Sequence, residues 1–152
     1  QTTARDPRID HIEQPLPPAQ AQALRGLATA HPTPIALDES VTTIPDLRSF
    51  STGGWPGTYV IKPALAGAPD SLRQWRRGIP NRRVYSSAFE TGIGAEHALR
   101  LAALDPRGPG VLGFGTLGAF GPGDPLELHT PGPVIEAGRH GGAAFARLWN
   151  HA

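Results

Sequence analysis

The sequence predicts an α/β fold built of about five strand–helix units of a (β/α)8 barrel. Three observations carry that expectation. Short apolar runs alternate with segments of helical character, as in a parallel sheet covered by helices. The runs recur at a nearly constant spacing, as in stacked equivalent units. The first four each end at or near a polar residue, Glu13, Asp38, Lys62 and Ser86, at intervals of 25, 24 and 24 residues.

The five expected strands are Ile9–Glu13, Pro34–Asp38, Tyr59–Lys62, Arg83–Ser87 and Val111–Gly115. The first intervening helix spans Ala19–Ala30. It follows Pro17-Pro18, and proline is tolerated in a first helical turn. Ile44–Phe50 is a shorter helix. Asp70–Arg77 opens on Asp70-Ser71, a good capping pair, and stops before Gly78. Ala95–Leu104 stops at Asp105-Pro106. An open doubly wound sheet is the structural alternative. It would carry a Gly-rich phosphate loop after its first strand, but Gln14-Pro15-Leu16-Pro17-Pro18 has no glycine.

The barrel portion is expected over residues 1–117. After Gly115 the pattern becomes turn-rich, with Gly121-Pro122-Gly123-Asp124-Pro125 as a clear loop. Residues 118–152 are read as a C-terminal loop and helix, Gly141–Asn150, that packs outside the barrel wall.

Composition excludes several function classes. The 14 basic and 13 acidic residues leave a net charge of +1. That balance gives no electrostatic reason for a nucleic-acid or membrane partner. No apolar run approaches the roughly 18 residues of a membrane span. The absence of cysteine removes disulfides, zinc thiolates and cysteine nucleophiles, and fits a cytoplasmic protein. The 19 glycines and 17 prolines punctuate apolar runs and read as loop residues. No methionine occurs, even at position 1, and an upstream segment is therefore expected.

In a parallel-stranded barrel, the C-terminal strand ends converge on one mouth, where such enzymes keep their sites. Here the mouth would collect Glu13, Asp38, Lys62, Ser86 and Ser87. Two carboxylates from neighbouring strands suit a hard cation such as Mg²⁺. A lysine from the next strand would face a metal-bound substrate, either for proton transfer or to stabilise an anion. Taken singly, Glu13 reads as a solvated loop residue, Asp38 or Ser40 as a helix cap, and Lys62 as a surface charge. Their common phase in a repeating unit favours a site. The six histidines are dispersed and read as ordinary surface or helix residues.

Ile12-Glu13-Gln14-Pro15, Ala36-Leu37-Asp38-Glu39-Ser40 and Val60-Ile61-Lys62-Pro63 resemble the enolase superfamily, and within it the o-succinylbenzoate synthase family. The stretch Ser86-Ser87-Ala88-Phe89-Glu90-Thr91-Gly92-Ile93-Gly94 is similar to that family's Ser-Ser-x-x-Glu-x-x-x-Gly motif. Gly115-Thr116-Leu117 resembles the segment after its last strand, although an acidic residue often stands where Gly115 does. The resemblance runs from about Ile9 to Leu117 and implies strands four to eight of the barrel.

That resemblance implies Glu13 and Asp38 as the second and third carboxylate ligands of Mg²⁺, and Lys62 on the sixth strand, facing the substrate ring. The implied reaction is dehydration of a cyclohexadiene carboxylate to o-succinylbenzoate, in menaquinone and phylloquinone biosynthesis. A second-strand lysine removes the proton α to the carboxylate, the metal stabilises the enediolate, and Lys62 holds the anion by charge and cation–π contact. Ser86 and Ser87 would meet the succinyl side. N-acylamino-acid racemisation and dipeptide epimerisation are alternatives in which Lys62 becomes a true acid/base. A non-catalytic part-barrel subunit is the remaining one.

The family also needs a Lys-x-Lys on the second strand and an Asp ligand on the third. Lys62 is the only lysine here, and nothing before Ile9 can supply those strands. The chain by itself is therefore expected to be inactive. It is also expected to be a poor independent fold, with two unpaired strand edges and an open apolar face. Its expected partners are the missing N-terminal half and a small-molecule carboxylate substrate.

Overall fold

A computed structural model describes residues 6–108, 112–115, 141–143 and 146. Among these, five strands form one sheet in chain order, β1 (Ile12–Glu13), β2 (Ile35–Leu37), β3 (Thr58–Ile61), β4 (Arg83–Ser86) and β5 (Leu112–Gly113). The β1–β2, β2–β3 and β4–β5 pairs are parallel. The helices between them are α1 (Ala21–Ala30), α2 (Ile44–Thr52), α3 (Pro63–Ala66), α4 (Pro69–Arg77) and α5 (Gly92–Ala103). The five expected strands and the four expected helices between them are present, with α3 in addition. The chain divides into two compact units, residues 1–61 with 65–84, and residues 62–64 with 85–152.

The first unit contains β1 to β3. Residues of β2 and β3 are buried on both faces, as parallel strands under helices require. Side chains alternate along a strand, so the sheet has two distinct faces. One face carries Ala36, Val60 and Val84, which form a buried cluster. Register places Glu13 beside Ala36 on that face, and Asp38, two residues beyond Ala36, has the same phase. The opposite face carries Leu37 and Tyr59, adjacent in register. Tyr59 meets Trp75 of α4 edge-on, with ring centroids 5.2 Å apart. Leu24, Leu47 and Leu72 bring α1, α2 and α4 into the core.

β1 is shorter than its apolar pattern implies. Ile12 N–H donates to the Pro34 carbonyl at 2.9 Å. The preceding rung of a parallel ladder would need an N–H from residue 34, and proline has none.

Helix starts also differ from expectation. A single 3-10 turn over Pro18–Gln20 precedes α1. α2 begins after Thr43, not after Asp38 or Ser40. Thr43 and Asp46 form a reciprocal capping box in which Asp46 Oδ2 accepts the Thr43 N–H at 3.0 Å. Asp38 and Ser40 instead belong to a separate 3-10 turn over Glu39–Val41, which Asp38 precedes without capping it by its side chain. α4 starts at Pro69 with Ala68 before it, so Asp70 and Ser71 lie inside the first turn rather than at the cap. Asp70 there complements the helix dipole and pairs with Arg73 at 2.8 Å.

The second unit is organised by α5 and the end of β4. Ala95, Ala98, Leu99, Leu101 and Ala102 bury one broad side of α5. Tyr85 donates its hydroxyl to Asp105 Oδ2 at 2.7 Å, and Asp105 Oδ1 accepts the Arg107 N–H at 3.0 Å. Gly113 lies against Ser86: a Cβ there would sit 2.8 Å from Ser86 Oγ, so a side chain at 113 would force the Ser86 hydroxyl to move. Gly142, Ala143 and Ala146 are helical and Gly141 is not; the other residues of 116–152, with most of the expected Gly141–Asn150 helix and its packing, lie outside the described residues.

Candidate active site

The structure puts Glu13 last on β1, Asp38 directly after β2, Lys62 directly after β3, and Ser86 last on β4. Each therefore stands at the C-terminal end of its strand, and Ser87 follows Ser86.

In the first unit, Glu13 and Asp38 share one face of adjacent strands. Their environments differ. The Glu13 side chain is 50% exposed, whereas Asp38 is 6% exposed. His11, on the same strand phase as Glu13, places Nε2 3.8 Å from Glu13 Oε2 and Nδ1 3.1 Å from Asp10 Oδ2. The His11 side chain is only 17% exposed, so it is not an ordinary surface residue. Asp10 in turn takes a hydrogen bond from Arg82, whose guanidinium holds the Asp10 carboxyl below the usual carboxylate range.

Gln14 joins the two strand ends. Its Oε1 accepts the Asp38 N–H at 2.9 Å and the Ser40 N–H at 3.2 Å. Its Nε2 donates to the Leu16 carbonyl at 2.7 Å and to Ser40 Oγ at 2.8 Å. The backbone of Gln14 has a positive φ of 36°, a region a non-glycine residue enters only under constraint. Ser40 is thus a partner of Gln14, not a cap. Nothing in the sequence around Gln14, between Glu13 and Pro15, marks this role.

In the second unit, Lys62 is half-buried. Ser86 donates its hydroxyl to the Gly113 carbonyl at 2.9 Å. Ser87 donates to Glu90 Oε2 at 3.3 Å and accepts the Phe89 N–H at 3.0 Å. Glu90 Oε2 also accepts the Ala88 N–H. Both serine hydrogens are thus engaged within the chain, which leaves the hydroxyls only lone pairs for a ligand. Phe89 lies at φ 59° and is 65% exposed. A Cβ on Gly94 would fall 2.7 Å from Glu90 Cβ, which explains the glycine four residues after this glutamate.

The donor set fits Mg²⁺ in kind, since two carboxylates on neighbouring strands are hard oxygen ligands. It is not a complete site. Among the described residues, no group of three His, Cys, Asp or Glu side chains could hold a metal ion. No helix among them is long and apolar enough to cross a membrane.

No family model matches the chain. It is 52% identical over 88 residues to the o-succinylbenzoate synthase of Thermosynechococcus vestitus, a match covering 57% of this chain and 27% of that protein. It is 36% identical over 102 residues to the N-succinylamino acid racemase of Thermus thermophilus, covering 64% of this chain and again 27% of the relative. The chain thus spans about a quarter of the length of the curated relatives it matches. Its structure superposes on the crystal structure of o-succinylbenzoate synthase from Thermosynechococcus elongatus BP-1, complexed with Mg in the active site. The TM-score is 0.75 at 36% identity, over 97% of this chain and 42% of that one.

The five strands with their helices form a part-barrel that resembles a portion of the enolase-superfamily TIM-barrel enzymes. Within that class the chain resembles o-succinylbenzoate synthase in sequence and in structure.

Proposed function

We propose that the chain supplies strands four to eight of a Mg²⁺-dependent o-succinylbenzoate synthase, a cytoplasmic lyase of menaquinone or phylloquinone biosynthesis. The observation that carries this reading is the placement of Glu13 and Asp38 on one face of adjacent parallel strands, at their C-terminal ends. The 52% identity to a named synthase supports the particular reaction.

In this reading Glu13 and Asp38 are two of three metal carboxylates. Mg²⁺, when bound, would neutralise charge that develops on the substrate carboxylate as its α proton leaves. The chain's own groups act around that centre. Lys62 holds the anionic substrate by its charge. Ser86 and Ser87 shape the loop after β4 that borders the succinyl side, and Ser86 Oγ can accept but not donate there. The third carboxylate and the second-strand lysine base come from an N-terminal portion that pairs with this chain. A racemase or epimerase is the second reading, favoured by the similarity to N-succinylamino acid racemase.

Lys62 separates the two. With the chain complemented by an N-terminal portion, Mg²⁺-dependent formation of o-succinylbenzoate is followed by absorbance. Under the synthase reading Lys62→Arg keeps most activity, because a fixed charge suffices, and Lys62→Ala loses about 10²–10⁴-fold. Equal losses in both variants, with racemisation of an N-succinylamino acid detected in the parent, favour the racemase. Absence of any Mg²⁺-dependent turnover in the complemented parent refutes both and leaves a non-catalytic subunit.

A further inference from the structure

Gln14 stands between a candidate ligand and a proline, yet its side chain reaches back across to the next strand end. An amide offers two acceptor lone pairs and two donor hydrogens. All four are used here, by Asp38 N–H, Ser40 N–H, Leu16 carbonyl and Ser40 Oγ. Its oxygen is thereby saturated by backbone N–H groups, which makes it a poor metal ligand itself.

The β1–β2 ladder explains the geometry. Gln14 N–H donates to the Ala36 carbonyl at 2.9 Å, continuing the pairing begun at Ile12. The next rung of a regular parallel ladder would run from Asp38 N–H to the Gln14 backbone carbonyl. The side-chain oxygen of Gln14 takes that N–H instead. The backbone at residue 14 is then free to turn, and it does so at φ 36°. The same side chain holds the 3-10 turn after Asp38 through Ser40. One residue thus fixes both the exit of Glu13 from β1 and the exit of Asp38 from β2.

We infer that Gln14 is a positioning residue for a divalent-cation site: it ties together the strand ends that bear Glu13 and Asp38. This rests on the proposed metal role of those two carboxylates. A strained backbone persists only where its surroundings over-determine it, and such strain gathers at ligand sites. Groups that orient metal ligands typically govern affinity without touching the ion.

The test uses Mn²⁺ as the probe, with the intact protein, comprising this chain and the N-terminal portion that completes it. Free Mn²⁺ is measured by electron paramagnetic resonance. Gln14→Gly removes the clamp but relieves the positive φ, so the fold is retained. Gln14→Asn keeps an amide and tolerates the same φ, but is one methylene too short to reach Asp38 N–H. Both variants are expected to bind Mn²⁺ about tenfold more weakly. Both should also melt lower, because Asp38 N–H and Ser40 N–H lose their acceptor, and the relieved φ offsets part of that loss in Gln14→Gly. In the metal-free protein, amide exchange at Asp38 and Ser40 should accelerate in both. Unchanged Mn²⁺ affinity in either variant, while Glu13→Gln weakens it, overturns the positioning role and leaves the metal reading intact. Unchanged affinity in Glu13→Gln overturns both.

Discussion

The loops after β1 and after β4 solve the same problem in opposite ways. Each contains a non-glycine residue with positive φ, Gln14 at 36° and Phe89 at 59°. Each is held by a side chain accepting backbone N–H groups. Gln14 accepts from Asp38 and Ser40, which lie 24 and 26 residues away. Glu90 and Ser87 accept from Ala88 and Phe89, two residues away. The first loop is fixed by another strand end, the second by itself. A self-contained loop leaves a compact sequence motif, whereas a cross-strand clamp leaves a single glutamine.

Tyr59 is fully buried against Trp75, and burial pushes its phenol up to about 12. Its hydroxyl has no hydrogen-bond partner among the described residues. Tyr59→Ala should cost about 3–5 kcal/mol through the cavity left beside Trp75. Tyr59→Phe should be neutral or stabilising, because it removes an unsatisfied buried group. Denaturant melts of both variants read this directly. A clear loss in Tyr59→Phe would reveal a partner for the hydroxyl, and a loop variant matching Tyr59→Ala would make that loop part of the core.

Glu90 tests the self-contained loop. Glu90→Ala leaves Ala88 N–H and the Ser87 hydroxyl without their acceptor, at a cost of about 1–3 kcal/mol. The effect should remain local. Amide exchange should rise at Ala88 and Phe89 but stay unchanged at Asp38 and Ser40. Accelerated exchange at Asp38 would show that the two loops are coupled and would break the distinction.

This contrast also explains what could be read from the sequence. The five strands were legible because each is an apolar run bounded by polar or turn residues. Their ends were less so, as β1 shows, since its start depends on the missing N–H of Pro34 in another strand. The candidate ligands were legible from their recurrence at one phase of the repeat. The Ser-Ser-x-x-Glu-x-x-x-Gly pattern was legible too, and its physical content is the Ser87–Glu90 hydrogen bond and the close approach of Gly94 to Glu90. Gln14 was not legible as a clamp. A residue before proline is biased towards extended backbone, so nothing local points to its positive φ. The burial of His11 beside Glu13 was equally hidden, because a strand end does not state which side chains crowd it.

The smallest effect concerns the long-range tie at the start of β1, the ion pair of Asp10 with Arg82, whose side chains are 50% and 43% exposed. Such exposed pairs contribute well under about 1 kcal/mol. Arg82 lowers the Asp10 pKa from its ordinary 3.8 in the folded state. The pair therefore stabilises the fold fully above the unfolded-state value and loses that contribution as pH falls through the lower folded-state value. Arg82→Gln should shift the melting midpoint slightly and evenly across neutral pH, with the difference shrinking as pH falls below the ordinary carboxylate value of 3.8 and vanishing only below the lowered folded-state value. Salt at 1 M should shrink it, since the screening length falls to roughly 3 Å. A difference that survives both acid and salt would mean that Arg82 supports β1 through packing of its stem, and that this end of the strand, like the Gln14 end, is held by contacts reaching beyond its own loop.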